Sequence, residues 1–103
     1  MNMDEIKNAL FSDAKNYLDI TWDDEKTDEK LMSIVNRGCA KIIALTNCSI
    51  DDIADSPEHQ SLFLDYCRLS WAGVPEKFDQ FFKNDIVRLR LQKIAEGYEY
   101  YAE

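Results

Sequence analysis

One stretch decides the fold class: residues 31–45, LMSIVNRGCAKIIAL. Its apolar side chains recur every three or four positions, as on one face of an α-helix. That face consists of Leu31, Ile34, Val35, Gly38, Cys39, Ile42 and Leu45. Gly38 lowers the helix propensity, but because it lacks a Cβ it lets a neighbouring helix approach closely. We predict a helix over residues 28–46, with Thr27 as its N-cap and Asn47 ending it in the left-handed conformation.

The same periodicity predicts three further helices, at residues 4–19, 57–72 and 75–96. Ser56 and Pro57 favour a helix start, because serine caps a helix and proline fits its first position. The connections are short, so consecutive helices should lie antiparallel. The predicted fold is therefore all-α, a small antiparallel helical bundle of about four helices.

Two details of this bundle depend on weaker signals. Ser49 and Asp52 predict a short turn of helix after the central helix. Asn84 and Asp85 are poor helix formers and predict a bend in the last helix.

The C-terminal segment, residues 97–103, reads GYEYYAE and has no helical stripe. We expect it to be a flexible tail, so that residues 1–96 form one helical domain. A chain of 103 residues with 46% hydrophobic content can bury a core without metal or disulfides.

The chain has neither of the sequence patterns that direct a protein to a membrane. No apolar run approaches the roughly 20 residues of a membrane span. Asp4 and Glu5 precede the first apolar stretch, which is not typical of a secretory signal. We expect a soluble, intracellular protein without membrane contact.

The residues that could carry chemistry are few. Cys39, Cys48, His59 and Cys67 are separated by 8, 10 and 7 residues, and none of these spacings is that of a zinc-binding pair. The single histidine has no local signature of Cys–His catalysis beside it. We therefore expect three thiols in the core, a surface His59, no metal or cofactor, no catalytic residues and no enzymatic activity.

Charge is segregated along the chain, whose net charge is -8. Residues 1–30 carry nine acids against four bases, whereas residues 77–93 carry five bases against two acids. The net charge disfavours wrapping of nucleic acid phosphates. Opposite charge in two parts of one chain allows identical subunits to complement each other head to tail, as in a ring.

Aromatic side chains are the largest source of burial free energy, at about 1.5–3 kcal/mol each when fully buried. The expected core set is Phe63, Tyr66, Trp71, Phe78, Phe81 and Phe82. Trp22 lies in a polar loop, which indicates either an anchor for a partner or a lid over the bundle.

Several landmarks together resemble a known family. In chain order they are DAKNYLDI (13–20), WDD (22–24), the apolar helix 31–45, LDYCR (64–68), FDQFF (78–82) and DIVRLRLQ (85–92). In this order and spacing the chain resembles the head-tail connector family of tailed bacteriophages, also called adaptor or head completion proteins. The resemblance covers about residues 13–92. It departs from the pattern at Asn47, where similar chains often place a glycine, and in the tyrosine-rich tail.

The resemblance implies a structural subunit that assembles as a ring of twelve copies beneath the portal, where it links the DNA-filled head to a stopper or tail completion protein. DNA would pass through the channel without specific binding. The subunit can be a monomer when free, and it would be part of a virion assembled in the host cytoplasm. The net negative charge agrees with such a channel, because it repels the phosphates of DNA.

The residues predict a candidate assembly interface, which combines basic, acidic and aromatic side chains. Its members are Trp22, Asp51, Asp52, Asp55, Arg88, Arg90, Lys93, Tyr98 and Tyr100. Arginine pairs with carboxylates through two parallel hydrogen bonds, so the acids of this set, or acids of a portal, are suitable partners for the basic helix. The alternative function is a small acidic helical inhibitor or regulator that imitates DNA or docks on a bacterial or phage protein.

Overall fold

The computed structural model describes residues 2–97 with their side chains and the backbone of the last helix as far as Ala102. The described part of the chain forms six α-helices: α1 (Met3–Tyr17), α2 (Glu25–Thr46), α3 (Ile50–Asp55), α4 (Pro57–Trp71), α5 (Phe78–Phe81) and α6 (Lys83–Ala102). A 3-10 turn, Pro75–Lys77, precedes α5, and no strand occurs in this part of the chain. The all-α bundle is confirmed. In the predicted tail the backbone of α6 continues to Ala102, while the side chains beyond Gly97 lie outside the described part of the chain.

The N-terminus of α2 differs from the prediction. Asp24 caps the helix, which begins at Glu25, and Thr27 donates to the Asp24 carboxylate from both its backbone N–H (3.0 Å) and its hydroxyl (2.9 Å). Thr27 is thus the capped residue, and its prediction as the cap was wrong. A carboxylate is favoured at this position by the helix dipole, and these two hydrogen bonds lower the pKa of Asp24. Asn47 ends α2 with a φ of 58°, as predicted.

Helix α2 is the centre of the bundle, in contact with α1, α3, α4 and α6. The predicted apolar face is buried except at Leu45, which is half-buried, and Thr46 takes a core position by donating its hydroxyl to the Ile42 carbonyl (2.8 Å). Gly38 faces α4, where an added Cβ would lie 3.0 Å from Tyr66 Cδ1 and 3.1 Å from Phe63 Cε1. The glycine therefore sets how closely α2 and α4 pack.

The predicted fourth helix is divided. The chain changes direction at Phe82, not at Asn84-Asp85, so the last long helix begins only at Lys83. The reason is aromatic packing: Phe78 meets Tyr66 edge to face at 5.5 Å and also contacts Phe82 at 5.3 Å. Phe81, expected in the core, is instead 59% exposed.

None of the helices in the described part of the chain is long and apolar enough to cross a membrane.

We predict that Gly38→Val lowers the free energy of unfolding by about 2 kcal/mol or more, because the new side chain collides with two buried aromatic rings. Gly97→Ala is the matched control, since Gly97 is exposed in α6 with no atom within 4 Å of an added Cβ. Alanine there should leave stability unchanged or raise it slightly. Denaturant unfolding of both variants measures the difference, and equal stability would refute the close contact at Gly38.

Candidate assembly surface

The buried thiols are inert. Cys39, Cys48 and Cys67 are all free and buried, and burial raises the pKa of Cys39 to about 11 and that of Cys67 to about 12. A thiol that stays protonated is a poor nucleophile and a poor metal ligand. Among residues 2–97 there is no group of three or more His, Cys, Asp or Glu side chains placed to hold a metal ion.

His59 is buried in the first turn of α4, so its prediction as a surface residue was wrong. Its Nδ1 lies 2.8 Å from the Ser56 hydroxyl, while its Nε2 is buried without a hydrogen-bond partner among the described residues. The cause is tertiary: α3 ends only two residues before α4 begins, and the two helices pack together. The sequence pattern at a helix start does not reveal such a corner.

The acids of the candidate interface have different environments. Asp52 forms a capping box with Ser49, accepting from the Ser49 backbone N–H at 2.9 Å while its own N–H donates to the Ser49 hydroxyl at 3.2 Å. It also pairs with Lys93 of α6 at 3.0 Å. Asp51 and Asp55 are exposed and form no ion pair within residues 2–97.

The charge of Asp52 is stabilised despite its partial burial. Burial would raise the pKa of Asp52, but the Ser49 N–H and the Lys93 ammonium outweigh it and hold the pKa below the ordinary 3.8. Its contribution to stability is therefore present above that value and is lost as the pH falls below it.

Two of the three predicted basic residues form ion pairs within the subunit. Arg88 pairs with Glu58 of α4 at 3.0 Å and with Asp85 at 3.5 Å, and Lys93 pairs with Asp52 and, at 3.4 Å, with Glu96. The pairs with Glu58 and Asp52 connect α6 to the first turns of α4 and α3. Arg90, in contrast, is exposed and has no ion-pair partner in the part of the chain that the structure describes.

A groove of about 360 Å³ separates α4 from α6 beside the Arg88–Glu58 pair. Leu62, Phe82 and Leu89 contribute apolar surface to it, and its charged residues are mainly acidic. These charged residues are Glu58, Asp65, Asp85 and Arg88.

An apolar stripe remains exposed along α6, which we call the α6 stripe: Val87, Leu91 and Ile94, with 47%, 58% and 50% of their surface exposed. These residues are four and three positions apart, so they share one face of the helix. Arg90 lies on the same face, three residues after Val87. The opposite side, with Ile86 and Leu89, is buried.

A second exposed apolar surface lies where α1 meets α2, and we call it the Trp22 end: Tyr17, Asp19, Trp22, Glu25 and Glu29. Trp22 is 51% exposed, which fits an anchor better than a lid. Tyr17, five residues earlier, is also exposed, and its hydroxyl donates to Asp65 of α4 at 3.1 Å. Asp23, which also belongs to this loop, pairs with Lys15 at 2.8 Å. The Trp22 end is therefore aromatic and acidic.

The structure unites some of the predicted interface residues and separates others. Asp52 and Lys93 are in contact, Arg90 lies on the α6 stripe, and Trp22 lies at the far end of α2. The sequence did not indicate Glu58 as the partner of Arg88, because thirty residues separate the two and no local pattern links them. The predicted roles of Tyr98 and Tyr100 lie outside the residues whose side chains are described.

Comparison with known proteins identifies no match: no family, no characterised protein and no solved structure is significantly similar to this chain. The resemblance to head-tail connectors therefore stays a prediction, and the function has to be argued from the surfaces of the subunit.

We predict that Asp52→Ala lowers the free energy of unfolding by about 1–2 kcal/mol, because it removes a helix cap and the partner of Lys93. Asp51→Ala, at an exposed neighbouring acid, is the control and should change stability by less than about 0.5 kcal/mol. Thermal or urea unfolding at neutral pH provides the comparison. Equal effects of the two substitutions would show that the capping box and the Lys93 pair do not hold this corner.

We further predict that the native protein does not react with a maleimide at neutral pH, whereas the unfolded chain takes up three equivalents, one for each buried thiol. Mass spectrometry of the labelled protein with and without denaturant measures this. Rapid labelling under native conditions would contradict the burial of the thiols.

Proposed function

We propose that this protein is a structural subunit of a phage head-tail connector ring, which docks beneath the portal and links the DNA-filled head to the stopper or tail. The order of sequence landmarks supports this assignment, as does the all-helical architecture. The observation that carries it is the presence of two exposed apolar surfaces of opposite charge on one small subunit.

The two surfaces lie at opposite ends of α2. The Trp22 end adjoins the start of α2, where Lys15 of α1 also pairs with Asp28 at 3.1 Å. Helix α6 packs against α2, and the α6 stripe lies towards the other end of α2, because Lys93 reaches Asp52 just after α2 ends. Since α2, with 22 residues, is about 33 Å long, the two surfaces are separated along the subunit.

This arrangement suits a closed ring. A ring needs a heterologous contact, in which one patch of a subunit binds a different patch of the next. Two complementary patches at opposite ends fulfil that requirement. The net charge of -8 fits a channel wall that DNA passes without binding.

A specific observation also favours the second candidate, an acidic regulator. Asp51 and Asp55 of α3 are exposed, and the Trp22 end adds further carboxylates around an aromatic side chain. Such a surface suits the basic site of a DNA-handling protein. This candidate requires a one-to-one complex that dissociates as the salt concentration rises.

We predict that the purified subunit binds portal-containing heads that lack it, and that about one subunit binds per portal subunit, as a ring requires. Cosedimentation with quantitative mass spectrometry measures the stoichiometry, and heads without a portal are the control. Equal binding to heads with and without the portal, or no binding to either at low or moderate salt, would exclude the connector function. Salt-sensitive one-to-one capture of a DNA-handling protein would then support the regulator.

A further inference from the structure

We infer that identical subunits associate head to tail, with the α6 stripe of one copy seated on the Trp22 end of the next. The inference rests on the proposed function insofar as a ring is built from identical subunits. It names the two patches that meet and the chemistry of each, a basic apolar helix face and an acidic aromatic loop.

The α6 stripe has the composition of an interface. Val87, Leu91 and Ile94 form a continuous row of half-exposed aliphatic side chains, and their burial is favourable at about 25 cal/mol per Å² of apolar surface. Lys83 and Arg90 lie on the same face, and neither forms an ion pair with any described residue. A partner for this face should therefore be apolar at its centre and acidic at its edge.

The Trp22 end meets both requirements. Trp22 is an exposed aromatic side chain of the kind that dominates binding energy at interfaces. Asp19, Glu25 and Glu29 are exposed within seven residues of Trp22 in the sequence and outnumber the exposed Lys26 of the same segment. None of the three acids is engaged in an ion pair within residues 2–97. Their charge is thus available to Lys83 and Arg90 of another copy.

Charge disfavours the groove between α4 and α6 as a binding site for Trp22. The groove between α4 and α6 has apolar surface, but Glu58, Asp65 and Asp85 line it and Arg88 is already paired there. Placing the acidic Trp22 end in this groove would bring like charges together. Stripe-to-stripe pairing is unfavourable for the same reason, since Lys83 and Arg90 would face their own copies, and such a closed dimer could not extend into a ring.

Disulfide trapping tests the contact directly, because the native thiols are buried and will not interfere. Thr21→Cys, at an exposed residue next to Trp22 that keeps the tryptophan, and Leu91→Cys are made as separate variants, one of them with a size tag. They are mixed and oxidised both in concentrated solution and on portal rings. We expect the mixed dimer to exceed each homodimer at least tenfold. A variant carrying both cysteines should give a ladder of covalent oligomers, since a disulfide needs Cα atoms within about 7 Å and one subunit holds these sites far apart.

Ser61→Cys is the matched control, because Ser61 is exposed in the groove between α4 and α6. Its cross-linking to Thr21→Cys should stay at the background level. Efficient trapping of Thr21→Cys by Ser61→Cys, or homodimers of Leu91→Cys in excess over the mixed dimer, would overturn the inference.

The charge component has its own test. Arg90→Glu in the Leu91→Cys chain should reduce mixed cross-linking to Thr21→Cys at least tenfold, and Glu25→Lys in the Thr21→Cys chain should restore at least part of it. Arg37→Glu is the control, since Arg37 is an exposed arginine of α2 that has no described ion pair and lies outside both patches. An equal loss of mixed cross-linking when Arg37→Glu is made in the Leu91→Cys chain would show that net charge causes the effect. It would contradict the pairing of Arg90 with the Trp22 end.

The two proposals can fail separately. Docking on the portal without a mixed cross-link on portal rings would leave the connector function standing and refute this contact. Head-to-tail cross-linking in solution without docking on portal-containing heads would support the contact and refute the connector function.

Discussion

The approach of α4 to α2 at Gly38 is the constraint on which the rest of the structure depends. With no Cβ at this position, the rings of Phe63 and Tyr66 lie directly against the backbone of α2. Tyr66 then receives the edge of Phe78, and Phe78 in turn contacts Phe82, where the chain changes direction. The starting point of α6 is thus set by a row of aromatic contacts that begins at one glycine. Any larger residue there would move the whole row.

The attachment of α6 determines which surface the subunit presents. Ile86 and Leu89 provide the apolar contact, while Arg88 and Lys93 join α6 to Glu58 and Asp52. Partly exposed ion pairs contribute little to stability, typically below about 1 kcal/mol, so their main effect is to orient the helix. With that orientation, Val87, Leu91 and Ile94 face away from the bundle together with Arg90.

The segregation of charge along the chain can be interpreted only when the structure shows which charged residues are paired within the subunit. The basic residues of the C-terminal part divide into two groups. Arg88 and Lys93 form ion pairs within the subunit, whereas Lys77, Lys83 and Arg90 form none with any described residue. On the acidic side, Asp23 and Asp28 pair with Lys15 of α1, while Asp19, Glu25 and Glu29 stay exposed near Trp22. What complements another copy is therefore a subset of the charges that the sequence displays.

The sequence by itself determined the helical class, the central helix with its buried face, and the left-handed residue Asn47 that ends this helix. It also determined the burial of Cys39 and Cys67. The reason is that apolar periodicity and the residue preferences at helix ends are local properties of the sequence. The sequence also placed Trp22 in a polar loop, where the structure leaves half of the side chain exposed. Only the tertiary structure decided the break at Phe82, the burial of His59 and the partners of Arg88 and Lys93. Each of these depends on contact between residues far apart in the chain, and helical spacing reports which face a residue occupies but not which helix will cover that face.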